Sequence, residues 1–554
     1  MSDQGPAGRA PEPGRPGEVA RVLELTRRLR ALVRELRHDA QPAESVGGPA
    51  PAAHRAAETD TGPPVEAAVS AARASGERAL MNTIYRSGAE VAGRLASLLL
   101  FAAAGRALGP NGLGAFVFAI AYLGFVMAGV NMGFDRYLLR IAARDSTAAD
   151  SLFFNVLALK LVLAVPLFGL GFVVLHFLSH SHEVQATTWA LAPGVLADSI
   201  ARTQLSVFLA RERSGPPALA DALQRILSAG LGIAALSLGY GVVSVGVTYS
   251  IGSTVGVVIG FVLLRHTIGV PAMRVTSRAW RGLSSSSLPF ATQDTFGLLL
   301  ARVDTLILAA MATQAAVGRY GAAYRLFESS LLVSYAIAGA FAAMFSYLGH
   351  DTDPPLRAVY ERSIKLSLVL LAPVAVAFAV LAEPICRAIY GPSLASAGVP
   401  LRILAPAVLL MAIVTLANSL LLSRENPRRM VSLAAAMAAI NVALNVALIP
   451  PFSDAGAAAA MVATELIYAV WISRIATNAL GKTRWLATSA GATAGAACMT
   501  IAALLLSGNL WIALTVGGAA YLVSLLAVER IVSSSDVRLL VHMLRRLQPS
   551  RTLR

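Results

Sequence analysis

The chain has 554 residues, of which 56% are hydrophobic and only 14% charged, and its mean hydropathy is +0.64. Soluble domains carry roughly 25% charged residues, so a string of soluble domains is excluded and a membrane protein is indicated. The 46 Lys and Arg against 31 Asp and Glu give a net charge of +15, which is ordinary for a polytopic membrane protein with basic loops and is no signal for nucleic acid.

Residues 1 to about 80 differ in kind from the remainder of the chain. Nine of the 27 prolines lie between Pro6 and Pro64, and a stretch so rich in Pro, Ala, Gly, Arg and Glu cannot bury a core, so a largely disordered basic tail is predicted. It has no apolar run ending in a small-residue cleavage site and is expected to stay in the cytoplasm. Over about 19–37, Val22, Leu25, Leu29, Leu32 and Leu36 recur at helical spacing among Arg21, Arg27, Arg28, Arg30, Arg34 and Arg37. This predicts a basic amphipathic helix that lies on a membrane surface or recruits a partner, the plainer alternative being a solvated tail.

Fourteen apolar segments come next, each long enough at 1.5 Å per residue to cross a hydrocarbon core of about 30 Å. They are expected at 85–106, 112–132, 151–178, 186–208, 218–237, 240–264, 289–311, 320–348, 363–382, 400–422, 430–450, 456–475, 486–507 and 509–528. The even-numbered connections carry eighteen Arg and Lys, from Arg136, Arg140 and Arg144 through to Arg474, Lys482 and Arg484, whereas the odd-numbered ones carry only Arg106, Arg319 and Arg387. That bias predicts a multi-pass protein with both termini cytoplasmic.

The stretch LGPNGLGAFVFAIAYLG from Leu108 matches TQAAVGRYGAAYRLFES from Thr313, aligning Gly114 with Gly318 at an offset of 204 residues, each read as a glycine hinge before a helix. Six spans separate the copies, which preserves orientation and predicts parallel repeats. The expected fold is therefore all-α and polytopic: lobes of six helices over 81–285 and 286–480, two extra transmembrane helices over 481–530, and a basic cytoplasmic tail over 531–554.

The same offset places Glu90 opposite Asp294. Ionisable groups within a span are costly and ordinarily face a bundle interior or a watery cavity. Arg86, Glu90 and Arg94 share one helix face, Asp294 and Arg302 share another, Asp304 points elsewhere, and Arg325 lies three residues before Glu328. Lys160, Asp198, Arg202, Asp221, Arg225 and Glu465 occupy other spans. The set predicts a cationic, water-filled cleft that holds an anionic headgroup, since a guanidinium fork donates two parallel hydrogen bonds to a phosphate. Structural ion pairs or side chains reaching to the interface are the alternative for individual residues, above all for Arg86, Arg225 and Asp198.

No P-loop, dinucleotide fingerprint, metal-ligand spacing or acid–base arrangement is present, and the two cysteines, Cys386 and Cys498, form no framework. A non-enzymatic protein without cofactor or metal is expected.

The segments RALGPNGLGAFVFAIAYLGF, NMGFDRYLLRIAARD and RVDTLILAAMATQAAVGRYGAAYRLFESSLL resemble the polysaccharide-exporter branch of the multidrug/oligosaccharidyl-lipid/polysaccharide flippase superfamily. The resemblance covers nearly all of the chain from about residue 80. It implies a V-shaped transporter in the cell membrane that flips a lipid-linked oligosaccharide, usually on polyprenyl pyrophosphate, to the outer leaflet by alternating access. It places Asp294, Arg302, Asp304, Arg325 and Glu328 at the family's polar positions. On that basis Arg94, Arg302 and Arg325 are expected to bind the pyrophosphate, and Glu90, Asp294, Asp304 and Glu328 to gate the cleft or couple it to an ion. Expected partners are the lipid-linked glycan, membrane lipids and a glycan-assembly protein met by the unusually long tail, the transporter itself being a monomer. A flippase for a lipid-linked peptidoglycan precursor and a drug or metabolite exporter of the same superfamily stay open as alternatives.

Overall fold

The computed structural model describes residues 65–144, 146–178, 181–211, 213, 215–267, 269, 275–348, 354–424, 427–481 and 485–532. The amphipathic segment at 19–37 and the tail after 532 lie outside them. The described residues form fourteen α-helices and one 3-10 turn: α1 (Val65–Asn131), α2 (Phe134–Ala142), α3 (Ser146–Leu178), α4 (His182–Ala210), α5 (Gly215–Ser237), α6 (Val242–Thr267), α7 (Ser277–Met311), α8 (Gln314–Leu348), α9 (Pro354–Val380), α10 (Ala382–Tyr390), the turn Pro392–Ala397, α11 (Gly398–Arg424), α12 (Pro427–Leu480), α13 (Trp485–Leu505) and α14 (Leu510–Val532). The protein is an all-α, multi-pass membrane protein. Helix α1 starts at Val65, inside the stretch expected as tail, because VEAAVSAARASGERAL is dominated by strong helix formers and comes directly after the last proline pair.

Ten of these helices are long and apolar enough to cross a membrane. Two of the ten are bent rather than straight. Helix α1 breaks at Gly109, whose φ of 64° is open to glycine and is followed by Pro110. Helix α12 breaks at Ser453, with φ 52°, just after Pro450 and Pro451. Helices α4 and α7 fall outside the ten although they are 29 and 35 residues long. Their interiors carry buried polar groups, including Thr187, Thr188, Ser199 and Thr203 on α4 and Ser287 and Asp304 on α7. The threonine hydroxyls are satisfied within the helix, Thr187 donating to the Glu183 carbonyl at 2.7 Å and Thr188 to the Val184 carbonyl at 2.8 Å.

Helices α1, α4, α5 and α6 pack on one another, and α8, α9, α11 and α12 form a second group. Helices α1 and α8 join the two. Here the repeat has a structural meaning different from the one expected. The breaks fall at Gly109 and beside Thr313, and Gly114 and Gly318 lie inside helices, so they are not hinges. They let two backbones touch: a Cβ on Gly114 would stand 2.1 Å from the Gln314 carbonyl oxygen, and one on Gly318 would stand 1.9 Å from that of Pro110. The Gln314 amide donates to the Asn111 carbonyl at 2.9 Å beside this contact.

The odd-numbered connections meet around that seam. Arg106 donates to the carbonyls of Ala388 and Ile389 on α10, and Arg319 makes a bidentate pair with Asp454, next to the α12 break, at 2.8 and 2.9 Å. Helices α13 and α14 pack on each other, with α13 lying along α9. Lys365 of α9 meets Glu529 of α14 at 2.5 Å, and the Tyr521 hydroxyl of α14 donates to the Val369 carbonyl at 2.7 Å.

At the other end, the short helix α2 carries two neighbouring charges that act in opposite directions. Asp135 accepts two bonds from Lys160, at 2.7 and 2.8 Å, and a third from the Thr203 hydroxyl at 2.8 Å, and Lys160 is fully buried with further bonds to Thr203 and the Ser199 carbonyl. Arg136 reaches out to Asp294 of α7 at 2.9 Å. Beside it, Gly133 (φ 68°) lies so close to Phe290 and Ala291 that a Cβ would stand 2.4 Å from the Ala291 nitrogen.

Gly318→Ala is expected to force the α1–α8 seam apart. A membrane-impermeant thiol reagent applied from the side of that seam should then label a cysteine placed at Ser97 in a C498S background; unchanged protection would contradict the backbone contact. Asp135→Ala strands the buried Lys160 ammonium and should cost about 3–5 kcal/mol of unfolding stability, with most of it recovered in the D135A/K160M double variant. Thermal unfolding in detergent reads both.

Candidate functional site

A cavity of about 460 Å³ opens between α1, α4, α5 and α6 on one side and α7 and α8 on the other. Its walls are apolar over Leu100, Phe101, Phe116, Val117 and Ile120, and charged at specific points where each helix turns a single face inward.

On the α7–α8 side, Glu328 holds two guanidiniums at once. Arg302 reaches its Oε1 at 3.1 Å and Arg325 its Oε2 at 2.9 Å. All three side chains are partly open, at 29%, 21% and 30% exposure for Arg302, Arg325 and Glu328. Each arginine also lies over a ring, Arg302 at 5.2 Å from the Tyr324 centroid and Arg325 at 4.8 Å from that of Phe101. The Nε of Arg325 is buried with no hydrogen-bond partner among the described residues. Part of its donor fork is therefore unspent.

On the facing side, Glu90 pairs with Arg94 at 2.7 Å and Asp221 with Arg225 at 2.9 Å. Gly93 makes room for the second pair, since a Cβ there would meet Arg225 Cδ at 2.7 Å. Asp198 accepts from the Gln224 amide at 2.6 Å and from the Tyr249 hydroxyl. Arg202, one turn further along α4, is exposed and lines the cavity.

Of the residues singled out in the sequence, Glu90, Arg302, Arg325 and Glu328 line the cavity, whereas Arg94, expected to bind the headgroup, does not line it and is paired with Glu90. Asp294 and Asp304 do not line it. Asp294 is taken by Arg136, and Asp304 is buried beneath the cavity floor, accepting from the Thr305 backbone N–H at 2.6 Å and from the Tyr320 hydroxyl. Lys160 is bound up with Asp135, and Arg319 with Asp454. Arg225 and Asp198, by sequence the more structural of the set, instead face the cavity, as do Arg202 and Asp221. The expected excess of positive charge is also absent: four arginines, Arg202, Arg225, Arg302 and Arg325, face four carboxylates, Glu90, Asp198, Asp221 and Glu328. Helix periodicity marks a polar face but does not say which acidic neighbour shares it.

The Arg302–Glu328–Arg325 cluster can exchange one anion for another, because a guanidinium held by a partly open carboxylate loses little when a phosphate takes the carboxylate's place.

Residues 104–398, more than half of the chain, match the family model described as polysaccharide biosynthesis protein. The probable low-salt glycan biosynthesis flippase Agl15 of Haloferax volcanii is 24% identical over 366 residues, covering 66% of this chain and 76% of its own. Among solved structures, the lipid II flippase MurJ in its inward closed conformation superposes with a TM-score of 0.68 at 16% identity, over 81% of this chain and 99% of that one. An inward-facing MATE multidrug transporter of the MOP superfamily gives 0.59 at 16% identity, over 71% and 96%. A MOP superfamily transporter from Pyrococcus furiosus gives 0.52 at 15% identity, over 73% and 96%. The fold is thus shared with the MOP superfamily, and the chain belongs to the polysaccharide biosynthesis protein family.

Proposed function

We propose that the protein flips a lipid-linked glycan, carried on polyprenyl pyrophosphate, from the cytoplasmic to the outer leaflet by alternating access. The observation that carries this reading is the Arg302–Glu328–Arg325 cluster in a cavity between two helix groups. Two guanidiniums aimed at one site suit a diphosphate, and the apolar walls leave room for the carrier's first isoprene units. The names of the Haloferax volcanii relative and of MurJ, both flippases, support the same class of cargo.

In this reading the chain crosses the membrane fourteen times. The breaks at Gly109 and Ser453 divide α1 and α12 into two passes each, and α4 and α7 cross with polar faces turned to the cavity. Residues 81–285 and 286–480 form the two lobes, α13 and α14 are appended, and both termini are cytoplasmic, as the basic connections require. The Arg136–Asp294 pair then closes the cytoplasmic side and the Gly114–Gly318 seam the outer side, so alternating access opens one while the other holds.

Glu328 is the resident anion before cargo arrives. Incoming diphosphate displaces it from Arg302 and Arg325, Arg94 adds a third cation from behind Glu90, and the freed carboxylates repel the headgroup once the cavity has turned outward. No covalent step is involved, so the protein is a carrier and not an enzyme.

Reconstituted in vesicles with a polyprenyl-pyrophosphate glycan, Arg325→Gln and Arg302→Gln should each lower the initial flipping rate about 10- to 100-fold, the scale of one lost charge-assisted hydrogen bond of roughly 1.5–3 kcal/mol. Glu328→Gln should bind the headgroup more tightly but turn over more slowly. Full activity in both arginine variants at normal expression would refute the assignment. An organic cation transported in place of the glycan would favour the exporter reading, which the four cavity carboxylates also suit.

A further inference from the structure

The cavity arginines are not equivalent. Arg225, Arg302 and Arg325 are each taken by a carboxylate within 3.1 Å, while Arg202 lines the same cavity, is exposed, and makes no ion pair among the described residues. Asp198, one turn before it, has its oxygens engaged by Gln224 and Tyr249. Lys160, which lies close by and adds positive field, gives its own bonds to Asp135, Thr203 and Ser199.

Depth separates the groups as well. Arg202 stands eight residues from the end of α4 at Ala210, or about 12 Å from the face bearing the basic connections. Arg302 is nine residues from the end of α7 at Met311, and Arg325 eleven from the start of α8 at Gln314, about 14 and 16 Å from the opposite face. Across a core of about 30 Å, Arg202 is therefore the nearer to the loading side, by about 2 to 4 Å over the carboxylate-bound arginines of α7 and α8. The Arg136–Asp294 pair lies near it, Asp294 being within the field of Arg202.

We infer that Arg202 is the first contact for the phosphate headgroup of the cargo, a loading station that captures the anion before it is handed to Arg302 and Arg325. The inference rests on the proposed transport of a phosphate-headed lipid. Order follows from cost: an anion meets no paired carboxylate at Arg202, whereas the deeper pair must first release Glu328. Capture there also places negative charge beside Arg136 and Asp294, where it competes for the arginine and loosens the cytoplasmic closure.

The test is calorimetric binding of inorganic pyrophosphate, geranylgeranyl pyrophosphate and geranylgeraniol to the full-length protein in lipid nanodiscs. The wild type is expected to bind the two phosphates and not the alcohol; preference for the prenylated one identifies a lipid headgroup, and equal binding a free anion, as the source. R202Q should raise Kd about tenfold for both phosphates, and R202K, which keeps the charge but loses the fork, should lie between. In flipping assays R202Q should raise KM with little change in kcat, unlike R325Q, which should lower kcat. Wild-type affinity in both R202Q and R202K would overturn the loading station while leaving the transport reading intact. A wild type that binds neither phosphate would overturn both.

Discussion

One carboxylate shared by two guanidiniums sets the terms for the rest of the molecule. Glu328 sits inside a helical bundle with Arg302 and Arg325 on it, and burying three charges so far from either membrane face is tolerable only where the pairing is good and some polar access is kept. The fold supplies both conditions. Tyr324 and Phe101 give each guanidinium a ring to lie on, and the separation of the two helix groups keeps the cluster at a cavity wall. A fully dry interior would favour replacing the cluster with apolar packing, and a fully wet one would leave it no geometry to keep.

The same logic sorts the remaining charges. Those with complete shells, Lys160 on Asp135 and Arg319 on Asp454, tie elements together at the ends of the bundle. Of those that face the cavity, Arg325 keeps an Nε with no partner among the described residues. An ion pair near a membrane face and one beside a cavity look alike in the sequence, and they part only when the neighbours that share them are counted.

Much of the fold is legible from patterning alone. The apolar segments anticipate the helices, and the 204-residue offset singles out Gly114 and Gly318, though as hinges and not as the backbone contact they make. The features that escape patterning depend on partners distant in the chain. The spacing of Arg225 and Asp198 on their helices says nothing of Gly93, Gln224 or Tyr249, which turn them toward the cavity. Asp294 and Asp304 carry the same charge ten residues apart, yet one meets α2 and the other is sealed under Tyr320. The glycines of the repeat suggest joints because a glycine permits unusual backbone, whereas here the missing side chain matters more than the freedom it leaves.

The ties between α9 and the last helix have a mechanical consequence. Lys365 to Glu529 and Tyr521 to the Val369 carbonyl are four residues apart on α9, one turn of the same face, so they fix both the height and the rotation of α14. Together with the packing of α13 along α9, the two bonds couple a tilt of α9 to the hairpin, and the lipids bordering it would rearrange with that tilt.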